Sequence, residues 1–246
     1  MSKIIKFDSQ PAVLSFASVV GKKEGEGPLG KCFDIVGNDA LFGEETFEQA
    51  ESKLQKLAVE TAVCKSAVNF ADVDCIFAGD LLNQCIGSSF GLMDFSIPFC
   101  GLYGACSTMA LSLINAAVHI ESGAAERAIA VTSSHFCSAE RQYRFPLEYG
   151  SQRPPSAQWT VTGSGAVLLG NESGKIYINS AIIGKICDLG VKDANNMGAA
   201  MAPDDVKIRP YPKLEGMVFF YTQIQYLRGL RALFKVFQST KICKKQ

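Results

Sequence analysis

No C-x-x-C pair occurs in this sequence, and only two histidines, His119 and His135, are present. Those two shortages remove the familiar zinc-ligand spacings, so no metal site is expected. No uncharged apolar run of about 18 residues appears, which excludes the usual pattern of a membrane-spanning helix. Net charge is also lacking, with 24 basic against 24 acidic residues. Overall charge therefore says nothing about a nucleic-acid partner, and none is expected. Its first residues, Met1-Ser-Lys-Ile-Ile-Lys6, do not have the pattern of a signal peptide. Nine cysteines are present, at 32, 64, 75, 85, 100, 106, 137, 187 and 243. The expectation is a reduced intracellular protein whose thiols are mostly small buried hydrophobes.

What is present is a globular composition, 48% hydrophobic and 20% charged, enough for a sizeable core. Charge is unevenly placed. From Asp204 onward there are nine Lys/Arg against three Asp/Glu, whereas the preceding residues carry 15 against 21.

Ala12 to Val20 reads as a first strand. The Gly-rich loop from Gly21 to Gly30 lacks both the Walker and the dinucleotide spacing, so it is not read as a phosphate loop. From Thr46 to Ala67 apolar residues recur at three- and four-residue steps (Phe47, Ala50, Leu54, Leu57, Ala58), predicting a helix that Thr46 or Glu45 starts. Asp74 to Gly79 is a short buried strand, with Asp80-Leu-Leu-Asn83-Gln84 at its C-terminal end. In open α/β sheets, sites form at such ends. A strand follows Phe95, then a nearly all-apolar helix from Ser107 to Ser122, stopped at Gly123. Arg127 to Ser134, Val161 to Leu169 and Lys175 to Ile183 are further strands. The polar stretch between Ala139 and Pro155 is too long for an idle connection and points to a functional loop or interface. The order βαβαβαββ predicts an α/β sheet with helices on its faces, the helix before the last pair being the weakest signal.

The most informative stretch is Gly101-Leu-Tyr-Gly104-Ala-Cys106-Ser-Thr108. It puts Cys106 at a strand-to-helix corner. There, first-turn N–H groups and the helix dipole favour thiolate over thiol, and the same corner suits an anionic ligand.

Six segments together carry a resemblance. They are Gly25-Glu-Gly-Pro-Leu-Gly30, Ala78-Gly-Asp-Leu-Leu-Asn-Gln84, Gly104-Ala-Cys-Ser-Thr108, Thr132-Ser-Ser-His135, the run from Ala139 to Gly150, and Trp159-Thr-Val-Thr-Gly-Ser-Gly-Ala166. They resemble the N-terminal half of the thiolase and ketoacyl-synthase superfamily and, within it, the stage V sporulation protein AD family. The resemblance runs to about Pro203. It implies a thiolase-like α/β fold whose first layer is largely present and whose second half is mostly missing. The division expected is residues 1–186 for the first half, 187–203 for the start of the second, and 204–246 for a divergent basic tail.

The resemblance also implies a sporulation role: binding dipicolinic acid (pyridine-2,6-dicarboxylate), with or without calcium, and assisting its uptake into the developing spore. Small membrane proteins of the same operon are implied as partners, a homodimer as the assembly, and the cytoplasmic side of the spore inner membrane as the location. No other cofactor is expected. An acyltransferase using Cys106 is the alternative, and a fragment without function is another. In the superfamily the His and the Asn or second His that assist the cysteine come from the second half, so turnover is not the leading expectation.

Candidate ligand contacts are Cys106, His135, Asn83 and Asp80, with helix capping the competing task for Asp80. Arg141, Arg144 and Arg153 have the bidentate chemistry a dicarboxylate wants, and equally that of solvated or interface arginines. His119 lies more than three turns along the helix that Cys106 begins, out of reach of the sulfur. Two readings of the tail stay open. It is translated out of frame, or it is a basic amphipathic segment with Phe220, Ile224, Leu227, Leu230, Phe234 and Phe237 at helical steps, suited to an anionic membrane surface.

Overall fold

The computed structural model describes residues 4–138 and 161–183, together with the backbone of 217–221. Its strands are β1 (Ile4–Lys6), β2 (Ala12–Val20), β3 (Ile35–Val36), β4 (Cys75–Gly79), β5 (Phe99–Gly101), β6 (Arg127–Ser134), β7 (Gly163–Gly170), β8 (Ile178–Ile183) and β9 (Met217–Tyr221). Its helices are α1 (Lys22–Gly25), α2 (Phe47–Cys64), α3 (Ile86–Leu92) and α4 (Thr108–Glu121).

Six strands form one sheet in the order β3-β2-β7-β6-β4-β5. β6, β4 and β5 are mutually parallel, so their C-terminal ends share one edge. β7 is antiparallel to both of its neighbours, β2 and β6. A separate small sheet has the order β1-β8-β9.

The alternation of side chains along a strand explains the layering. Ile76, Ala78, Ile129, Val131, Ala166 and Leu168 face α2, where they meet Leu54, Ala58, Val59 and Ala62. The intervening Phe77, Ala128, Ala130, Val167 and Leu169 face α4, where they meet Leu113, Ile114, Ala117 and Ile120. These strands are apolar on both faces because both faces are covered. The α/β layering predicted from the sequence is the one observed.

Local chemistry sets the helix ends. Thr46 caps α2 with a reciprocal box: its Oγ1 accepts from Gln49 N at 3.2 Å, and Gln49 Oε1 accepts from Thr46 N at 3.0 Å. Thr46→Ala is expected to lower stability by about 1 kcal/mol, measurable as a shift in the denaturant midpoint. α4 ends at Glu121, and Gly123, just past its Ser122 cap, has a φ of +73°, the left-handed conformation such a stop requires.

Four differences from the sequence reading have physical causes. α2 ends at Cys64 rather than Ala67, with Lys65 as its last cap. β5 is three residues long, because Met93–Phe95 forms a 3-10 turn and Pro98 has no N–H to give a ladder. α3 carries no helix signal, since Ile-Gly-Ser-Ser-Phe-Gly-Leu is rich in poor helix formers. Met217–Tyr221, read within a helical spacing, is a strand paired in parallel with β8. Its Met-Val-Phe-Phe-Tyr run is β-favouring. The rest of the amphipathic tail, the helix expected before the last strand pair beyond Ser138, and the loop from Ala139 to Pro155 lie outside the described residues. Among the described residues no helix is long and apolar enough to cross a membrane.

Candidate functional site

The C-terminal ends of β4, β5 and β6 define the site edge. β4 ends at Gly79, and its backbone is pressed against the segment that follows β5. A methyl group on Gly79 would lie 2.0 Å from Leu102 O and 2.5 Å from Thr108 Cγ2. Leu102 N also donates to Ala78 O at 2.8 Å. The absence of a side chain at position 79 is what lets the head of α4 sit on the end of β4.

Between Leu102 and α4, Ala105–Ser107 makes a 3-10 turn that holds Cys106, which is half-buried. Hydroxyl groups lock this turn. Ser107 Oγ donates to Gly104 O at 2.6 Å, Thr108 Oγ1 donates to Ala105 O at 2.7 Å, and Thr108 Oγ1 accepts from Gly104 N at 3.0 Å. Ser107 is therefore committed to the turn and gives no side-chain cap to the first N–H groups of α4. The corner presents a thiol beside the positive end of a 14-residue helix.

Backbone strain gathers here. Ala105 has φ +46°, and Gln84 and Cys85, on the loop after β4, have φ +53° and +52°. A non-glycine residue in that region costs about 1–2 kcal/mol, and such residues cluster at functional sites. The two loops are tied together by Cys85 Sγ, which donates to Leu102 O at 3.5 Å. Burial and the neighbouring Asp80 carboxylate push the Cys85 thiol pKa up, so it stays protonated.

Asp80 is buried, with both carboxylate oxygens directed at its own loop. Oδ1 accepts from Leu82 N at 2.8 Å; Oδ2 accepts from Ser88 N at 2.7 Å and from Ser88 Oγ at 2.6 Å. It clamps the loop and the head of α3. Asn83, by contrast, is exposed on that loop. His135 is completely buried. Its Nε2 lies 2.8 Å from Ala40 O and its Nδ1 accepts from Cys137 N at 3.2 Å, which makes Nε2 the protonated nitrogen. Burial lowers its pKa, so the ring is neutral. His119 packs on the Phe77 ring at 4.7 Å within α4. Arg141, Arg144 and Arg153 lie outside the described residues. The structure thus brings Cys106 and the Asp80–Asn83 loop to one corner, with His135 beneath its own strand end.

Sequence reasoning passed over the residues under this corner. Glu51 and Gln55 fall among the apolar positions of α2, and both are completely buried. Gln55 Nε2 reaches Ser133 Oγ and Ser88 Oγ at 2.8 Å each, and Gly79 O at 3.3 Å. Ser133 Oγ donates to Glu51 Oε1 at 2.9 Å, and Ser138 Oγ donates to Glu51 Oε2 at 2.6 Å. A continuous polar file therefore runs from Glu51 to Asp80. Burial pushes the Glu51 pKa up to about 7, partly offset by the two serine hydrogen bonds and reinforced by the Asp80 and Glu48 charges. The signal that could have found Glu51 is its place one residue from Ala50 and three from Leu54, on the inward face of the helix. Among the described residues no group of three His, Cys, Asp or Glu could hold a metal ion.

Comparison with known proteins adds the family. Among solved structures, 3-oxoacyl-(acyl carrier protein) synthase III from Xanthomonas oryzae aligns at 14% identity with a TM-score of 0.43, over 68% of this chain and 57% of that one. Cerulenin-bound OleA from Xanthomonas campestris aligns at 13% identity with a TM-score of 0.43, over 68% and 58%. Stage V sporulation protein AD of Bacillus subtilis is 43% identical over 197 residues, covering 80% of this chain and 58% of the relative. The chain thus spans well under two thirds of that relative's length. A model of the stage V sporulation protein AD family matches residues 1–209. That match takes in the whole Cys106 corner and its polar underlay, and with it this chain belongs to the stage V sporulation protein AD family.

Proposed function

We propose that the chain is a sporulation protein that binds dipicolinic acid beside Cys106 and assists its uptake into the developing spore. Family membership over residues 1–209 is the observation that carries this reading. The local chemistry is compatible with it. The corner offers the positive end of α4 with no side-chain cap from Ser107, and a carboxylate is the kind of group such an end attracts. Work beside small membrane proteins of the same operon, a homodimeric state and a place against the cytoplasmic side of the spore inner membrane belong to the same proposal. So does calcium accompanying the ligand.

Calorimetric titration of the folded chain with dipicolinate, alone and with calcium, tests the reading. Saturable heat is expected, with affinity falling by about tenfold or more (about 1.4 kcal/mol) in Cys106→Ala. No binding to a well-folded sample would sink the proposal for this chain and leave a fragment without ligand.

One observation favours a second reading. A thiol at a helix head is also the arrangement of an acyl-accepting nucleophile. Incubation with acyl-coenzyme A followed by mass spectrometry separates the two: a thioester adduct on Cys106 supports acyl transfer, and an unmodified thiol with intact dipicolinate binding supports the binding role.

A further inference from the structure

The file of buried side chains under the Cys106 corner has a direction, and the direction depends on one proton. Ser133 has a single hydroxyl hydrogen, which goes to Glu51 Oε1. Ser88 has one as well, which goes to Asp80 Oδ2. Both serine oxygens must then accept from the Gln55 amide, whose nitrogen reaches both at 2.8 Å. Donors therefore point outward from Gln55 to a carboxylate at each end. The arrangement leaves Gln55 Oε1 buried without a hydrogen-bond partner. A buried orphan acceptor is unfavourable and calls for an explanation.

A proton on Glu51 reverses the logic. The relay follows the proton on Oε1: the carboxyl then becomes a donor to Ser133 Oγ, and the Ser133 hydroxyl must turn away. The acceptor within its reach is the Gln55 amide, provided that the amide rotates to bring Oε1 forward. Rotation gives Oε1 the Ser133 hydroxyl as a donor and carries Nε2 into the position that Oε1 leaves. It also withdraws Nε2 from Ser88 Oγ and from Gly79 O, and it draws the Ser88 hydroxyl toward Oε1 and off Asp80. The proton adds to one carboxylate oxygen, and every later change is a reorientation with no bond broken.

Among the described residues, the charges acting on Glu51 are Asp80 at the end of β4 and Glu48 on its own helix, both negative. His135, after β6, is held neutral by burial, and Cys85, at the head of α3, is held as a thiol. Proton uptake by Glu51 is thus favoured by its surroundings.

We propose that Glu51 and Asp80 are the two ends of a buried proton-responsive relay. In it the Gln55 amide reverses when Glu51 takes up a proton, and the clamp on the 80–88 loop bordering Cys106 slackens. This inference is independent of which ligand the corner binds.

Hydrogen exchange in the full chain reads the relay directly, because Leu82 N and Ser88 N donate to Asp80. After correction for intrinsic chemical exchange, protection of these two amides is expected to fall by about tenfold between about pH 8 and about pH 6. Leu41 N and Phe42 N, which donate to Asp39 outside the relay, serve as the control and stay flat. Glu51→Gln, a permanently neutral donor, is expected to show the low protection at both pH values. Gln55→Leu is expected to abolish the pH dependence while Glu51 remains. Flat protection at Leu82 and Ser88 in the wild type overturns the relay whatever the variants do. An unchanged pH profile in Gln55→Leu overturns the amide's part in it.

Discussion

Glu51→Gln is expected to be more stable than the wild type at about pH 8, by about 3 kcal/mol, with the gain vanishing as the pH falls toward 4.5. The sign follows from linkage. The folded-state pKa of Glu51 is raised from 4.5 to about 7. Between those values the folded state holds a proton that the unfolded chain has released. Glu51 thus contributes its full stability below about 4.5, and that contribution is lost as pH rises through about 7. At about 1.4 kcal/mol per pH unit, the gap amounts to about 3 kcal/mol. Glutamine keeps the shape and is neutral at every pH, so it has nothing to lose.

His135 acts in the opposite sense over part of the range. Its pKa is lowered by burial, so stability is lost as pH falls below its ordinary value, where the unfolded ring takes up a proton that the folded one refuses. The comparison of wild type and variant cancels His135 and isolates Glu51. Urea melts at a series of pH values measure it. Parallel curves for the two proteins would show that Glu51 titrates normally despite its burial.

Gly79→Ala is expected to destabilise the fold by about 3 kcal/mol and to abolish the proposed dipicolinate binding beyond what unfolding accounts for. The new methyl would stand 2.0 Å from Leu102 O, a backbone atom. Leu102 cannot retreat cheaply, since its N–H is bonded to Ala78 O and its carbonyl accepts from Cys85. The strain passes along three residues to the turn that holds Cys106. Gly123→Ala is the natural comparison. There a methyl meets nothing within 4 Å, but φ is +73°, so the expected cost is about 1 kcal/mol with binding intact. Denaturant melts and calorimetry on both variants check this. A Gly79→Ala protein within about 0.5 kcal/mol of wild type would mean that the β4 end and the α4 head are not pressed together.

Much of this architecture was legible because its signals are periodic. β2 and β6 carry their own apolar runs, and α2 and α4 carry three- and four-residue spacing with a cap or stop at one end. The elements that escaped are short or made of residues without preference. α3 is held at its head by Asp80, which accepts from Ser88 N, β1 is completed by β8 far along the chain, and β3 is only two residues long. At the site, position was readable and surroundings were not. Cys106 announces itself by following Gly-Leu-Tyr-Gly-Ala and preceding an apolar helix. That Asp80 spends its oxygens on its own loop, or that both His135 nitrogens are satisfied by backbone, depends on contacts no spacing encodes. Glu51 is the instructive case. On an amphipathic helix, one carboxylate beside apolar neighbours reads as a boundary residue, and only Ser133 and Ser138, far along the chain, show that it is inside.

The antiparallel β7, set between β2 and β6, has a kinetic consequence. Ala12 finds its partner only at Gly170, so the first long strand emerges from the ribosome with a whole edge unmatched. The parallel strands β4, β5 and β6 with α4 are local enough to assemble early. β2 must wait until β7 is synthesised, carrying Val13, Phe16, Val19 and Val20 through the interval. The slow step of folding is then expected to be the insertion of β7, and the species most prone to aggregate is the chain arrested just before it.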